Sequence, residues 1–104
     1  MLKIKVMSLK IALEKIERAK KRNATGLNLS GLNLKEVPEE IGQLKQLTTL
    51  YLYDNQIGEI ENLEQLTQLT QLYQNNNQIE EIKNLEQLTQ LTMLYLYNNQ
   101  IEEI

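Results

Sequence analysis

The chain has 104 residues, a formal net charge of −3, and no cysteine, histidine, phenylalanine or tryptophan. Without cysteine or histidine there can be no disulfide, thiolate zinc site or thiol nucleophile, and the commonest general base and metal ligand are missing. The length suits one domain whose core must come almost wholly from Leu and Ile.

Residues 1–23 carry eight basic residues and two acidic ones, whereas residues 24–104 carry three and twelve. Such a basic segment can be a nucleic-acid or membrane arm. Here it lacks interleaved aromatics, so it reads as the solvated face of a helix that complements its own acidic neighbour. Within it, residues 8–22 fit an amphipathic helix, with Leu9, Ala12, Leu13, Ile16 and Ala19 on one stripe. Ser8 is placed to cap its start, Lys20, Lys21 and Arg22 complement the dipole at its end, and Asn23 can terminate it. Residues 2–6 fit two patterns: Leu2, Ile4 and Val6 alternate as a strand would, and Leu2, Val6, Leu9, Leu13 and Ile16 continue the helix. In either form, residues 1–23 are expected to act as an N-terminal helical cap over the open apolar end of residues 24–104.

From Ala24 onward the chain repeats itself, first with a 23-residue unit and then with a period of 22. Leu47, Leu69 and Leu91 are one such series; Leu50, Leu72 and Leu94, Asn55, Asn77 and Asn99, and Ile57, Ile79 and Ile101 are others. The stretch from Asn62 to Thr70 returns letter for letter as Asn84 to Thr92. A fixed period of this length signals a solenoid, in which each unit buries its apolar face against its neighbours. Residues 24–104 hold about 3.5 such units.

Each unit divides into parts with their own periodicity. Around Leu50 and Leu52 apolar residues alternate, as in a half-buried strand, with Thr49, Tyr51 and Tyr53 on the other side. Asn55, Asn77 and Asn99 stand where the chain must turn, and a stacked asparagine can bond the backbone of its own turn and of the next coil. Leu32 takes that position in the first unit, so the ladder is expected to begin at Asn55. On the return path Ile60, Leu63, Leu66 and Leu69 are spaced by three, which suits 3₁₀ turns. In the first unit the spacing of Val37, Ile41, Leu44 and Leu47 predicts a more α-like return, with Pro38 in its first turn and the strand register unchanged.

The pattern L-x-x-L-x-L-x-x-N-x-I, as in residues 47–57 and 91–101, resembles the leucine-rich-repeat family. The 22-residue units are similar to those of internalins and of the type-1 phosphatase regulatory subunit. The first unit, with Val37-Pro38-Glu39-Glu40-Ile41, is similar to the more typical bacterial repeat. The resemblance implies an α/β solenoid. It would be a right-handed horseshoe, with a short parallel β-sheet on the concave side and 3₁₀ or α turns on the convex side.

Two positions break the pattern. Gln74 stands in the inward slot that Leu52 and Leu96 fill, either as a hydrogen-bonding device beside Asn77 or as a tolerated substitution. Nothing polar comes after Ile104 to cover Leu91, Leu94, Leu96, Ile101 and Ile104, so the chain is expected to be part of something longer or to cover that end with a second copy.

The concave positions are Gly26, Asn28 and Ser30 in the first unit, then Thr49, Tyr51, Tyr53, Gln71, Tyr73, Asn75, Met93, Tyr95 and Tyr97. All five tyrosines fall among them, and tyrosine supplies rigid contact area with a polar tip at little entropic cost. Duplication of one tyrosine-bearing unit accounts for the clustering and still leaves a contiguous aromatic strip. The carboxylate pairs Glu80–Glu81 and Glu102–Glu103 sit at turns without a pocket to perturb them. The expected function is therefore a non-catalytic module that binds a protein or peptide through residues 49–53, 71–75 and 93–97, with no cofactor, metal, nucleic-acid or membrane partner. Self-assembly as a homodimer through the uncapped C-terminal end or the concave face, or service as the recognition fragment of a larger signalling protein, is the alternative. A cytoplasmic location is expected from the missing cysteines, signal segment and membrane span.

Overall fold

The computed structural model describes residues 2–102, with side chains from Val6 onward. The expectations for Glu103 and Ile104, and for the side chains of Leu2 and Ile4, lie outside the described residues. One helix, α1 (Leu2–Arg22), precedes four three-residue strands: β1 (Gly26–Asn28), β2 (Thr49–Tyr51), β3 (Gln71–Tyr73) and β4 (Met93–Tyr95). The strands form one parallel sheet in the order β1-β2-β3-β4. Each coil of the solenoid adds one strand, so a residue pairs with its counterpart one repeat later. Leu27 lies beside Leu50, Leu50 beside Leu72, and Leu72 beside Leu94. The extra residue of the first unit leaves this register intact, as expected, because Gly26 still pairs with Thr49.

The helix takes the longer of its two sequence readings. Residues 2–7 join α1, which corrects the role given to Ser8: it lies within the helix and does not cap it. A strand there would need a partner, whereas lengthening an existing helix requires no new nucleus. Ala12, Ile16 and Ala19 are buried in the core and Leu13 packs against it, but Leu9 of the expected stripe stays exposed. Asn23 ends the helix with φ of 52°, the left-handed geometry asparagine tolerates.

The core is a stack of aliphatic side chains. Leu29, Ile41, Leu44, Leu47, Leu50, Leu52, Ile57, Ile60, Leu63, Leu66, Leu69 and Leu72 are fully buried. Leu91, Leu94, Leu96 and Ile101 of the last described coil are only partly buried. On the convex side, successive single turns run from Leu63 to Leu69 and from Leu85 to Leu91, each closed by an amide three residues after its carbonyl. The first unit differs from expectation. Its return is a 3₁₀ helix (Glu39–Gln43), not an α-like one, and Pro38 stands before it with ψ of 135°. One added residue lengthens the 3₁₀ run without supplying the chain that a full α turn needs.

Glu61 lies half-buried on this convex side. Burial pushes its carboxyl above the usual 4.5, Glu59, Glu36 and Glu64 add to the shift, and Lys83 opposes it. A raised folded-state pKa means that stability is greatest below the unfolded value and falls as pH rises through the folded one. Glu61→Gln should therefore raise the thermal midpoint at pH 7, and the gain should vanish by about pH 4. Paired melts at the two pH values check it; an equal gain at both would mean that the charge is not the cause.

Candidate functional site

The geometry of the strip comes from strand spacing. Parallel strands lie about 4.7–4.9 Å apart, so side chains at one register position must stack at that distance or diverge. Tyr51, Tyr73 and Tyr95 share such a position. Tyr51 and Tyr73 stack with ring centroids 4.8 Å apart and 16° between planes. Tyr73 and Tyr95 are 4.7 Å apart at 70°, edge to face. Tyr53 and Tyr97, two residues beyond, lie 6.3 Å from Tyr51 and Tyr95 respectively. Such contacts contribute about 0.5–1.5 kcal/mol each beyond area burial, so the rings hold one another in place before any partner arrives.

The remaining concave positions divide. Thr49, Gln71 and Met93 share the register position at the start of the strands and are half-buried. The Gln71 Oε1 accepts a 2.8 Å hydrogen bond from the Tyr73 hydroxyl. Loss of water pushes the Tyr73 hydroxyl above the usual 10.0, and Tyr51 and Tyr95 reinforce the shift. Asn75 departs from the sequence reading. Expected on the open wall beside Tyr53 and Tyr97, it is buried, and its Oδ1 has no hydrogen-bond partner. An amide is shorter than the phenol rings that occupy this slot in the coils on either side, so it does not reach the surface they form.

Three ladders flank the strands and run from coil to coil, and Asn62 and Asn84 form a fourth on the return path by donating to the Val37 and Ile60 carbonyls. Asn55, Asn77 and Asn99 form the expected one, but they reach back to the preceding coil and not forward to the next. Asn55 Oδ1 accepts from the Leu32 and Leu34 amides, while its Nδ2 donates to the carbonyls of Leu29, Leu52 and Tyr53. Asn77 Oδ1 accepts from the Ile57 amide, and Asn99 Oδ1 from that of Ile79. Leu32 in the first unit is thus served by the asparagine one coil later.

The other two ladders beside the strands went unread in the sequence although they keep the same period. Thr48, Thr70 and Thr92 donate their hydroxyls to the carbonyls of Thr25, Thr48 and Thr70. Asp54, Asn76 and Asn98 all have φ near 55°, and each asparagine donates to the side chain one coil earlier at 2.7 Å. Only residues that tolerate left-handed backbone can hold that turn. Their recurrence at 22-residue intervals is the signal that identifies them.

Among the described residues no group of three or more His, Cys, Asp or Glu could hold a metal ion. Glu80, Glu81 and Glu102 line an open hollow with Gln100. Among the described residues no helix is long and apolar enough to cross a membrane.

The sequence matches two family models, described as Leucine Rich repeats (2 copies) over residues 67–104 and Leucine Rich Repeat over residues 46–69. No curated protein matches it. Solved structures do. An internalin from Listeria monocytogenes is 34% identical, with a TM-score of 0.72 over 82% of this chain and 25% of its own. A leucine-rich-repeat protein from Leptospira interrogans is 36% identical, with a TM-score of 0.71 over 79% of this chain and 22% of its own. Internalin C2, also from Listeria monocytogenes, is 29% identical with a TM-score of 0.61, over 66% of this chain and 30% of its own. The chain thus spans between 22% and 30% of the length of these three proteins.

Proposed function

The chain belongs to the leucine-rich-repeat family, and from that premise we propose that it is a non-catalytic module that binds a protein or peptide through its tyrosine-lined sheet face. The family supports an interaction role in general. The specific reading rests on one observation, the stack of Tyr51, Tyr73 and Tyr95 in register across β2, β3 and β4. Side chains that already brace one another have little rotamer freedom left to lose, so contact area converts to affinity with a smaller entropic offset. Thr49, Gln71 and Met93 along one margin of the strip, and Tyr53 and Tyr97 along the other, present neutral groups that suit an uncharged or aromatic stretch of polypeptide.

The test is selection of binders from a random peptide library against the 104-residue chain, then titration of the Tyr51→Ala, Tyr73→Ala, Tyr95→Ala triple variant. Tyrosine anchors contribute roughly 1–2 kcal/mol each, so the triple variant should lose affinity by at least about 100-fold. Its far-ultraviolet circular dichroism should be unchanged. Binders that tolerate the triple variant would remove the reading.

A second reading is that a second copy packs along β4. The partial exposure of Leu91, Leu94, Leu96 and Ile101 favours it.

A further inference from the structure

The solenoid leaves part of the apolar surface of α1 uncovered. Ala12, Ile16 and Ala19 are buried against the core, whereas Val6 is 58% exposed, Leu9 46% exposed, and Leu13 half-buried. Val6, Leu9, Leu13 and Ile16 are spaced three, four and three, the alternation by which two helices pack knobs into holes. In a heptad lettered a to g, Val6 and Leu13 take a, and Leu9 and Ile16 take d. Buried Ala12 and Ala19 take g, on the flank toward the first coil. Lys10 and Glu17 both take e, on the exposed flank. A shallow groove lined by Val6, Leu9, Lys10, Leu13, Glu14 and Glu17 runs along this stripe. Met7 and Ile11, also exposed, sit at b and f, away from it.

Charge selects the occupant. Antiparallel helices with two-fold symmetry bring e positions against e positions, and the apolar layers allow registers one heptad apart. Layering Val6 on Leu9 of a second copy sets Lys10 against Lys10. Layering Leu13 on Ile16 sets Glu17 against Glu17. Layering Leu9 on Leu13 sets Lys10 against Glu17, and symmetry supplies the pair twice. Only this register is free of like-charge contact at e.

We infer that α1 is a pairing helix: two copies of this chain pack it antiparallel through Leu9 and Leu13, with Lys10 of each copy against Glu17 of the other and Val6 at the margin, opposite the buried Ile16. The surface shares no residue with the tyrosine strip, so the two proposals stand or fall separately. Two apolar residues per copy, with a third at the margin, make a face below the roughly 1,200 Å² of standard complexes, so the association is of the weak, reversible kind.

Sedimentation velocity of the intact chain from about 1 to 300 μM, the range expected of so small a face, should show the mass rising from one copy to two. Lys10→Glu and Glu17→Lys should each weaken the dimer about tenfold or more, because each creates like-charge pairs. Combining both changes in one chain should restore it, and so should mixing the two single variants, whose charges then match across the pair. Both positions are exposed, so folding, monitored by circular dichroism, should not change. A single-copy mass at every concentration would overturn the inference, as would a dimer indifferent to all four conditions. Adsorption of a monomer to phosphatidylserine vesicles would overturn it in favour of a membrane surface.

Discussion

Asn55→Ala should lower the unfolding free energy by about 3–5 kcal/mol, because it strands several buried backbone groups at once. The side chain makes five hydrogen bonds of 3.0 to 3.3 Å: two accepted from the Leu32 and Leu34 amides, three donated to the carbonyls of Leu29, Leu52 and Tyr53. Leu29, Leu34 and Leu52 are buried, so water cannot readily replace the lost partner. A buried polar group left unpaired costs about 1–3 kcal/mol, and at least two would be left here. Against the roughly 5–15 kcal/mol that holds a domain of this size, that is a large fraction. The effect should decline along the ladder. Asn77→Ala loses four bonds in a buried setting, and Asn99→Ala loses four in a part-buried one where water can enter. Urea titrations should therefore order the midpoints Asn55 below Asn77 below Asn99. Gln78→Ala, exposed and next to Asn77 in the chain, should stay within about 0.5 kcal/mol of the starting protein. If all three asparagine variants match Gln78→Ala, the ladder does not hold the coils together.

The period carried most of this architecture in plain view. A recurrence of 22 residues fixes which residue lies beside which, so Tyr51, Tyr73 and Tyr95 could be aligned from the sequence alone. What the period cannot give is the length of a side chain relative to its neighbours. Asn75 occupies the same slot as Tyr53 and Tyr97 and by register belongs to the wall, yet it falls short of the surface and is buried. Local pattern also failed where two patterns fit: residues 2–6 alternate like a strand, and only the cost of an unpartnered strand decides for the helix. The ladders through Thr48 and Asn76 kept the same period, but a threonine or asparagine in a turn has many uses. Their reach to the preceding coil shows only in three dimensions. The binding partner is not legible from either source, because a repeated scaffold records how a surface is built and not what rests on it.

Gln74→Leu should raise the unfolding free energy by about 1–3 kcal/mol. Gln74 is fully buried, and neither its Nε2 nor its Oε1 has a hydrogen-bond partner. The counterpart in the coil before is Leu52, fully buried, and in the coil after it is Leu96. Leucine is close in size to glutamine and packs on these neighbours without an amide to desolvate. The bond that joins this residue to the asparagine ladder does not depend on its side chain: the Gln74 carbonyl accepts from Asn77 Nδ2 at 3.1 Å and from Asn99 Nδ2 at 2.9 Å. Its amide likewise donates to the Tyr95 carbonyl. The structure thus discards a side-chain device beside Asn77, and the substitution keeps every backbone bond that ties this coil to its neighbours. The gain should appear in both urea and thermal unfolding, with peptide affinity of the strip unaltered, since Gln74 faces the interior. Equal or lower stability in the leucine variant would mean that the buried amide is satisfied in solution. Lost peptide affinity at unchanged stability would mean instead that the amide serves the concave surface.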